Sequence, residues 1–216
     1  MTAIFKHTRP RERQKEETRS RIIAAATDLF AARGFDGTAL PAIADVCGDR
    51  VSLIVYHFGS KEGLWRACVD AIYAAVIRHL DAGAPTIAEA EGMARIALAV
   101  RAHITAAAAN PSYHRILFQE AMSDTERLRW LVDTHERPLS QRKIALIREA
   151  QSFGLLPADL DPMHLKFLVS GLFALPIALA PEYRLLAGEE PLSNAFIDRH
   201  VAACLSLLSG APQRIG

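Results

Sequence analysis

The side chains that do most enzymatic chemistry are all present in this sequence, but not at the spacings a reaction centre needs. No two of its eight histidines stand four apart, the spacing that puts two imidazoles on one helix face for a metal. His135-Glu136 begins like the HExxH of zinc proteases, but the position of the second histidine is Leu139. Cys47, Cys68 and Cys204 are far apart and form no CxxC, so neither a structural zinc nor a disulfide framework is expected. GxGxxG and GxSxG do not occur, and Gly59-Ser60-Lys61 lacks the upstream glycine of a phosphate-binding P-loop. The sequence therefore predicts no enzyme, no metal site and no cofactor. What remains is charge. Residues 1–21 carry Lys6, Arg9, Arg11, Arg13, Lys15, Arg19 and Arg21 against three glutamates, a balance of +4 in a chain whose net charge is only +1. A basic arm of this kind either meets phosphates or is simply a solvated tail.

The elements around that arm are helical. Half of the residues are hydrophobic, and no sustained Val/Ile/Thr alternation appears, so the chain reads as all-α. Ile22, Ile23, Ala26, Leu29 and Phe30 keep helical spacing up to Gly34, a residue suited to the left-handed conformation that closes a helix. Thr38 is placed to cap a second, short helix with Pro41 in its first turn and Leu40, Ile43, Ala44 and Cys47 facing inward. After the turn Gly48-Asp49-Arg50, a third short helix is expected over about Val51 to His57. Ser60 then caps a fourth, striped by Leu64, Cys68, Ile72, Val76 and Leu80. Two short helices joined by a tight turn and bracketed by longer ones make a helix-turn-helix.

Over residues 18–67 the chain resembles the DNA-binding domain of TetR-family regulators. The features that carry the resemblance are Leu29-Phe30 followed by Gly34-Phe35, Gly37-Thr38, Ile43-Ala44 before Gly48, and the block Tyr56-His57-Phe58-Gly59-Ser60-Lys61-Glu62-Gly63-Leu64. Where the family has a small apolar residue and then Ser or Thr after the turn glycine, this chain has Asp49 and Arg50, so Asp49 or Ser52 is expected to cap the third helix instead. The resemblance implies a basic arm at 1–17, a helix-turn-helix at 18–60, a ligand-binding and dimerisation domain at 61–210 and a tail at 211–216. It makes Arg50 to His57 the recognition helix. Arg50 suits a forked contact to guanine or a phosphate, and Ser52 either a base or a phosphate. Val55 suits a thymine methyl or the core, while His57 is either a phosphate donor or a packed side chain. Tyr56, Lys61 and Thr38 are the remaining phosphate candidates.

Further helices are expected at about 86–109, 111–122, 124–153, 161–181 and 193–209, with kinks at Pro138 and Pro176. Asp161-Pro162 reads as an N-cap followed by proline at the first helical position. The helix from Pro162 has apolar residues on nearly every side, which fits either a buried core helix or one shared with a second subunit. By resemblance, Leu168, Leu172, Phe173, Leu175, Val201, Leu205 and Leu208 are the homodimer candidates. Met93, His103, His114, Phe118, Met122 and Trp130 are the candidates for a pocket taking a small hydrophobic or aromatic effector, each of which could equally be plain core.

The implied function is a homodimeric repressor on palindromic double-stranded operator DNA, released by that effector. Two alternatives remain: a helical interaction protein without operator binding, and a thiol sensor using Cys47. The start of the chain lacks the apolar segment of a signal peptide. The longest uncharged run, Phe167 to Pro181, is shorter than the roughly 20 residues that span a bilayer. A cytoplasmic protein with no membrane partner is therefore expected.

Overall fold

The computed structural model describes residues 10–209. Residues 1–9 of the arm and the tail 211–216 lie outside the described residues. Every described element is a helix, as expected for an all-α chain. The chain forms two compact units, Met1–Ala71 and Ile72–Gly216, which divide within one long helix.

The first unit contains α1 (Pro10–Arg33), α2 (Leu40–Cys47), α3 (Val51–Phe58) and the start of α4 (Lys61–Glu89). Its interior is Ile22, Ala26, Phe30, Ile43, Ala44, Ile54, Leu64, Trp65 and Cys68, all buried. Burial of each large aliphatic side chain contributes about 1.5–3 kcal/mol. Gly34 ends α1 at φ 71°, and its N–H donates to the Phe30 carbonyl. Phe35 then folds back, stacked on Phe30 and edge-on to Trp65. Thr38 does not cap α2. The cap position is Ala39, which has no side chain to accept a bond, and Thr38 is turned inward to serve the end of α1 instead. Its hydroxyl donates to the Gly34 carbonyl at 2.8 Å and to Leu29 at 3.2 Å. Carbonyls at a helix C-terminus lack intrahelical donors, so a buried hydroxyl there is held strongly.

Gly48, at φ 71°, turns the chain out of α2. Neither Asp49 nor Ser52 caps α3. The cap position is Arg50, in extended conformation and with no side-chain bond, because Asp49 is taken by an ion pair with Arg21 at 2.8 Å. Ser60 does act as expected, accepting the Gly63 N–H at 3.0 Å. The α3 N-terminus is therefore held by tertiary packing around Ile54, whereas its C-terminus is closed by Gly59, whose N–H donates to the Val55 carbonyl at 2.8 Å.

The second unit holds the rest of α4, then α5 (Gly92–Ala109), α6 (Pro111–Ala121), α7 (Glu126–Leu131), α8 (Arg137–Ser152), α9 (Pro162–Ala178), α10 (Ala180–Ala187) and α11 (Asn194–Ser209). Its core gathers Ile96, Val100, Ile104, Ile147, Leu165, Ile177, Ile197, Val201 and Cys204. Three expectations are corrected here. The helix expected to begin near 86 starts at Gly92, because α4 carries Pro85 within it and runs on to Glu89. The helix expected to kink at Pro138 contains a π-helical turn, Val132–Glu136, just before it. Proline lacks an N–H and its ring crowds the carbonyl four residues back, so a widened turn there relieves the clash. The helix expected to run to 181 ends at Ala178, and α10 departs at 69°. Pro181 sits in the first turn of α10, and the residue before a proline disfavours helical conformation. Asp161 caps α9 as expected, accepting the His164 N–H at 2.9 Å. Among the described residues, no single helix is long and apolar enough to cross a membrane.

Candidate nucleic-acid interface and cavity

Helix α3 has a sharply divided surface. Ile54 is fully buried, whereas Ser52, Val55 and Tyr56 face solvent, and Tyr56 is 73% exposed. Positions i, i+3 and i+4 lie on one helix face, so these three residues and Arg50 at its start form a single outward edge. An exposed valine beside an exposed tyrosine has no reason in the packing of this unit. His57 is half-buried with its ring edge-on to Tyr56. Basic groups frame the edge. Lys15 lies 5.9 Å from the centre of the Tyr56 ring, and Arg19 donates to the His57 carbonyl at 3.2 Å while stacking on Phe58. Lys61 rests 4.3 Å from the centre of the Phe35 ring. The second half of the basic arm is thus the helical start of α1, which places Arg11, Arg13 and Lys15 on an exposed surface.

Thr38 departs from its expected role. It is 1% exposed, its hydroxyl is bonded inward, and its N–H donates to the Phe35 carbonyl. Both groups a phosphate would need are already engaged. Cys47, beside the turn, has its thiol within reach of the Ala44 carbonyl. Partial burial pushes that thiol up from its ordinary value and the Asp49 carboxylate adds to the shift. A reactive thiolate needs the opposite environment.

The second unit contains a partly open cavity of about 90 Å³, room for roughly six to nine waters. Most of its wall is aliphatic, including Val76, Leu80, Ile147 and Leu155. Of the six expected pocket residues, only His103 and His114 line it. Met122 is 85% exposed, Met93 and Phe118 are also exposed, and Trp130 packs edge-on to His135 away from the wall. Those four lie on helix faces that point elsewhere. Beyond the two histidines, the polar part of the wall was not anticipated. Lys143, Lys166, Tyr113 and His114 line it, with Glu136 behind them. Glu136 Oε1 accepts from the hydroxyls of Tyr73 and Tyr113, both at 2.7 Å, and Lys166 Nζ lies 3.7 Å from Oε2. Burial pushes Glu136 up, but Lys143, the two phenols and Lys166 outweigh it and hold the carboxyl below its ordinary value. Burial takes His114 down to about 3 and His103 to about 4, so both rings are neutral near pH 7. One signal was legible beforehand: Lys166 is the single Lys, Arg, Asp or Glu within α9.

On α9, Phe167 is 66% exposed, and Leu168 and Leu175 are also exposed. With Gly171 they share one face at i, i+1, i+4 and i+8. Leu172, Phe173, Leu205 and Leu208 are half-buried. Val201 faces the core of its own unit and is too deeply buried to meet a second subunit. Leu207, not expected in this role, is exposed on α11. Among the described residues there is no group of three or more His, Cys, Asp or Glu that could hold a metal.

Comparison with known proteins agrees with this geometry. Residues 22–68 match the family model "Bacterial regulatory proteins, tetR family". The HTH-type transcriptional regulator RutR of Escherichia coli K12 is 29% identical over 196 residues, 91% of each chain. Among solved structures, SCO3833 of Streptomyces coelicolor, a TetR-family member, superposes with a TM-score of 0.67 at 24% identity, covering 89% of this chain and 91% of that one. The fatty acid degradation regulator FadR from Bacillus halodurans superposes at 0.65 and 18% identity, covering 97% and 100%. The helix-turn-helix built around Ile54 thus matches the TetR-family DNA-binding model over residues 22–68, and the all-helical second unit that follows it has the fold of the TetR-family regulators it superposes on.

Proposed function

We propose that this regulator is a homodimeric repressor that binds a palindromic operator through α3 and leaves it when a small, largely apolar effector enters the cavity of the second unit. The observation that carries this reading is the outward edge of α3. Its Ser52, Val55 and Tyr56 are exposed in a unit whose other large apolar side chains are mostly buried. Arg50 and Ser52 are assigned to base edges, and Val55 to a thymine methyl. Tyr56, His57 and Lys61 are assigned to phosphates, which fix register without reading sequence. The exposed apolar face of α9 supports pairing with a second copy, which would give a two-fold molecule matched to two half-sites. The mostly aliphatic cavity supports a small-molecule effector.

The test is a fluorescence-anisotropy titration of the purified chain on its own upstream intergenic DNA at several salt concentrations, with light scattering for stoichiometry. Two protomers per palindrome and an affinity that falls steeply with salt are expected. Binding that ignores sequence, or a single protomer on DNA, would overturn the corresponding part of the reading. The raised pKa of Cys47 gives no support to thiol sensing.

A further inference from the structure

The cavity wall has an unbalanced charge. Glu136 is the one carboxylate in the buried cluster, and its oxygens are already occupied by Tyr73, Tyr113 and Lys166. Lys143 is a second ammonium facing the same carboxylate, and it lines the cavity directly. The other titratable groups around it do not supply a second negative charge. His103 and His114 are neutral, and Arg142, which bears on His103, is paired with Asp81 at 2.6 Å. The cluster therefore holds two basic side chains for one carboxylate. Beside them, His114 is 7% exposed, lines the cavity, and its Nδ1 has no hydrogen-bond partner. Apart from His103 and Ser170, the rest of the wall is aliphatic or aromatic, including Val76, Leu80, Leu155 and Phe173.

We propose that the cavity is a site for a small apolar monocarboxylate, whose carboxylate is received by Lys143 with His114 as its second polar contact. This rests on the reading of the cavity as an effector site and narrows the ligand class. A single negative charge makes the cluster neutral. A neutral hydrophobe would leave Lys143 uncompensated in an apolar wall, and a dianionic phosphate would overshoot by one charge. Burial and Lys166 pull Lys143 down and Glu136 pulls it up, with a net shift downward that a bound carboxylate beside it would counter. The aliphatic wall selects the body of the ligand by shape and apolarity.

The experiment uses the full chain and a panel of monocarboxylic acids of about six to twelve non-hydrogen atoms, octanoate and 4-phenylbutyrate among them, each paired with its matched primary alcohol. Binding is read by calorimetry and, separately, by release of the chain from operator DNA. At least one acid is expected to bind about 10- to 100-fold tighter than its alcohol. Lys143→Met, shown to be folded by circular dichroism, should bring that ratio to within about twofold. Alcohols that bind as tightly as their acids, or no binding by any acid, would overturn the proposal. An acid preference that survives Lys143→Met would overturn the assignment of Lys143. The wild-type acid-to-alcohol ratio keeps the test decisive even if the variant fails to fold. Tight acid binding without operator release would leave this site standing and sink the effector reading, so the two fail separately.

Discussion

Thr38→Val separates a structural threonine from a phosphate-binding one. The substitution keeps side-chain shape and removes only the hydroxyl, which is buried and donates to the Gly34 carbonyl at 2.8 Å and to Leu29 at 3.2 Å. Leaving a buried acceptor without its donor costs about 1–3 kcal/mol, and the new buried methyl offsets about 0.8 kcal/mol of this. A net loss of about 0.2–2.2 kcal/mol lowers Tm by up to roughly 9 °C in a chain of this size. Trp65, buried beside Phe35, reports the first unit. A Trp130→Phe background removes the other tryptophan and isolates that signal. Operator affinity, measured well below the transition, should be unchanged, and its salt slope should be unchanged too. The reasoning is refuted if Thr38→Val leaves Tm untouched but weakens operator binding with a salt slope shallower by about one unit, the signature of a lost phosphate contact.

Other substitutions test the remaining assignments. Lys61→Ala should weaken binding to every sequence alike and flatten the salt slope by about one unit, whereas Arg50→Ala should relax preference at one base pair by about 1–3 kcal/mol. Competition titrations with single-base operator variants distinguish the two patterns. Because burial lowers His114 to about 3 from an ordinary 6.5, the unfolded chain binds the extra proton first. The stability from keeping His114 neutral is therefore fully present above about pH 6.5 and is lost as pH falls towards 3. Urea titrations between pH 7 and 4 should show this decline, and His114→Gln should make it shallower. Cys47 should react slowly with iodoacetamide at pH 7, as its raised pKa requires, and Cys47→Ser should leave operator binding intact. Rapid labelling confined to Cys47, followed by mass spectrometry, would contradict this.

Local chemistry alone specified much of the first unit. Gly34 and Gly48 sit where only a residue tolerant of positive φ closes a helix cheaply, and both adopt it. The stripe Leu64, Cys68, Ile72, Val76 and Leu80 keeps helical spacing, and all five residues are buried. The division of α3 into a buried Ile54 and an outward Tyr56 follows from a motif whose spacing is short enough to read along the chain. Capping was less legible. Thr38 is a good cap by residue type for the helix after it, yet it bonds backwards because the nearer unsatisfied carbonyls belong to α1. Asp49 was free to cap until Arg21, 28 residues earlier, claimed it. The same limit governs the second unit. Periodicity shows that Met122 and Phe118 are apolar, but only packing determines that they point outward while Lys143 and Lys166 point in. A buried cation is unfavourable by itself and becomes tolerable beside Glu136, Tyr73 and Tyr113, which come from three different helical elements. Helix content and the recognition face are properties of neighbours in the chain, whereas the cavity and its charge exist only where distant segments meet.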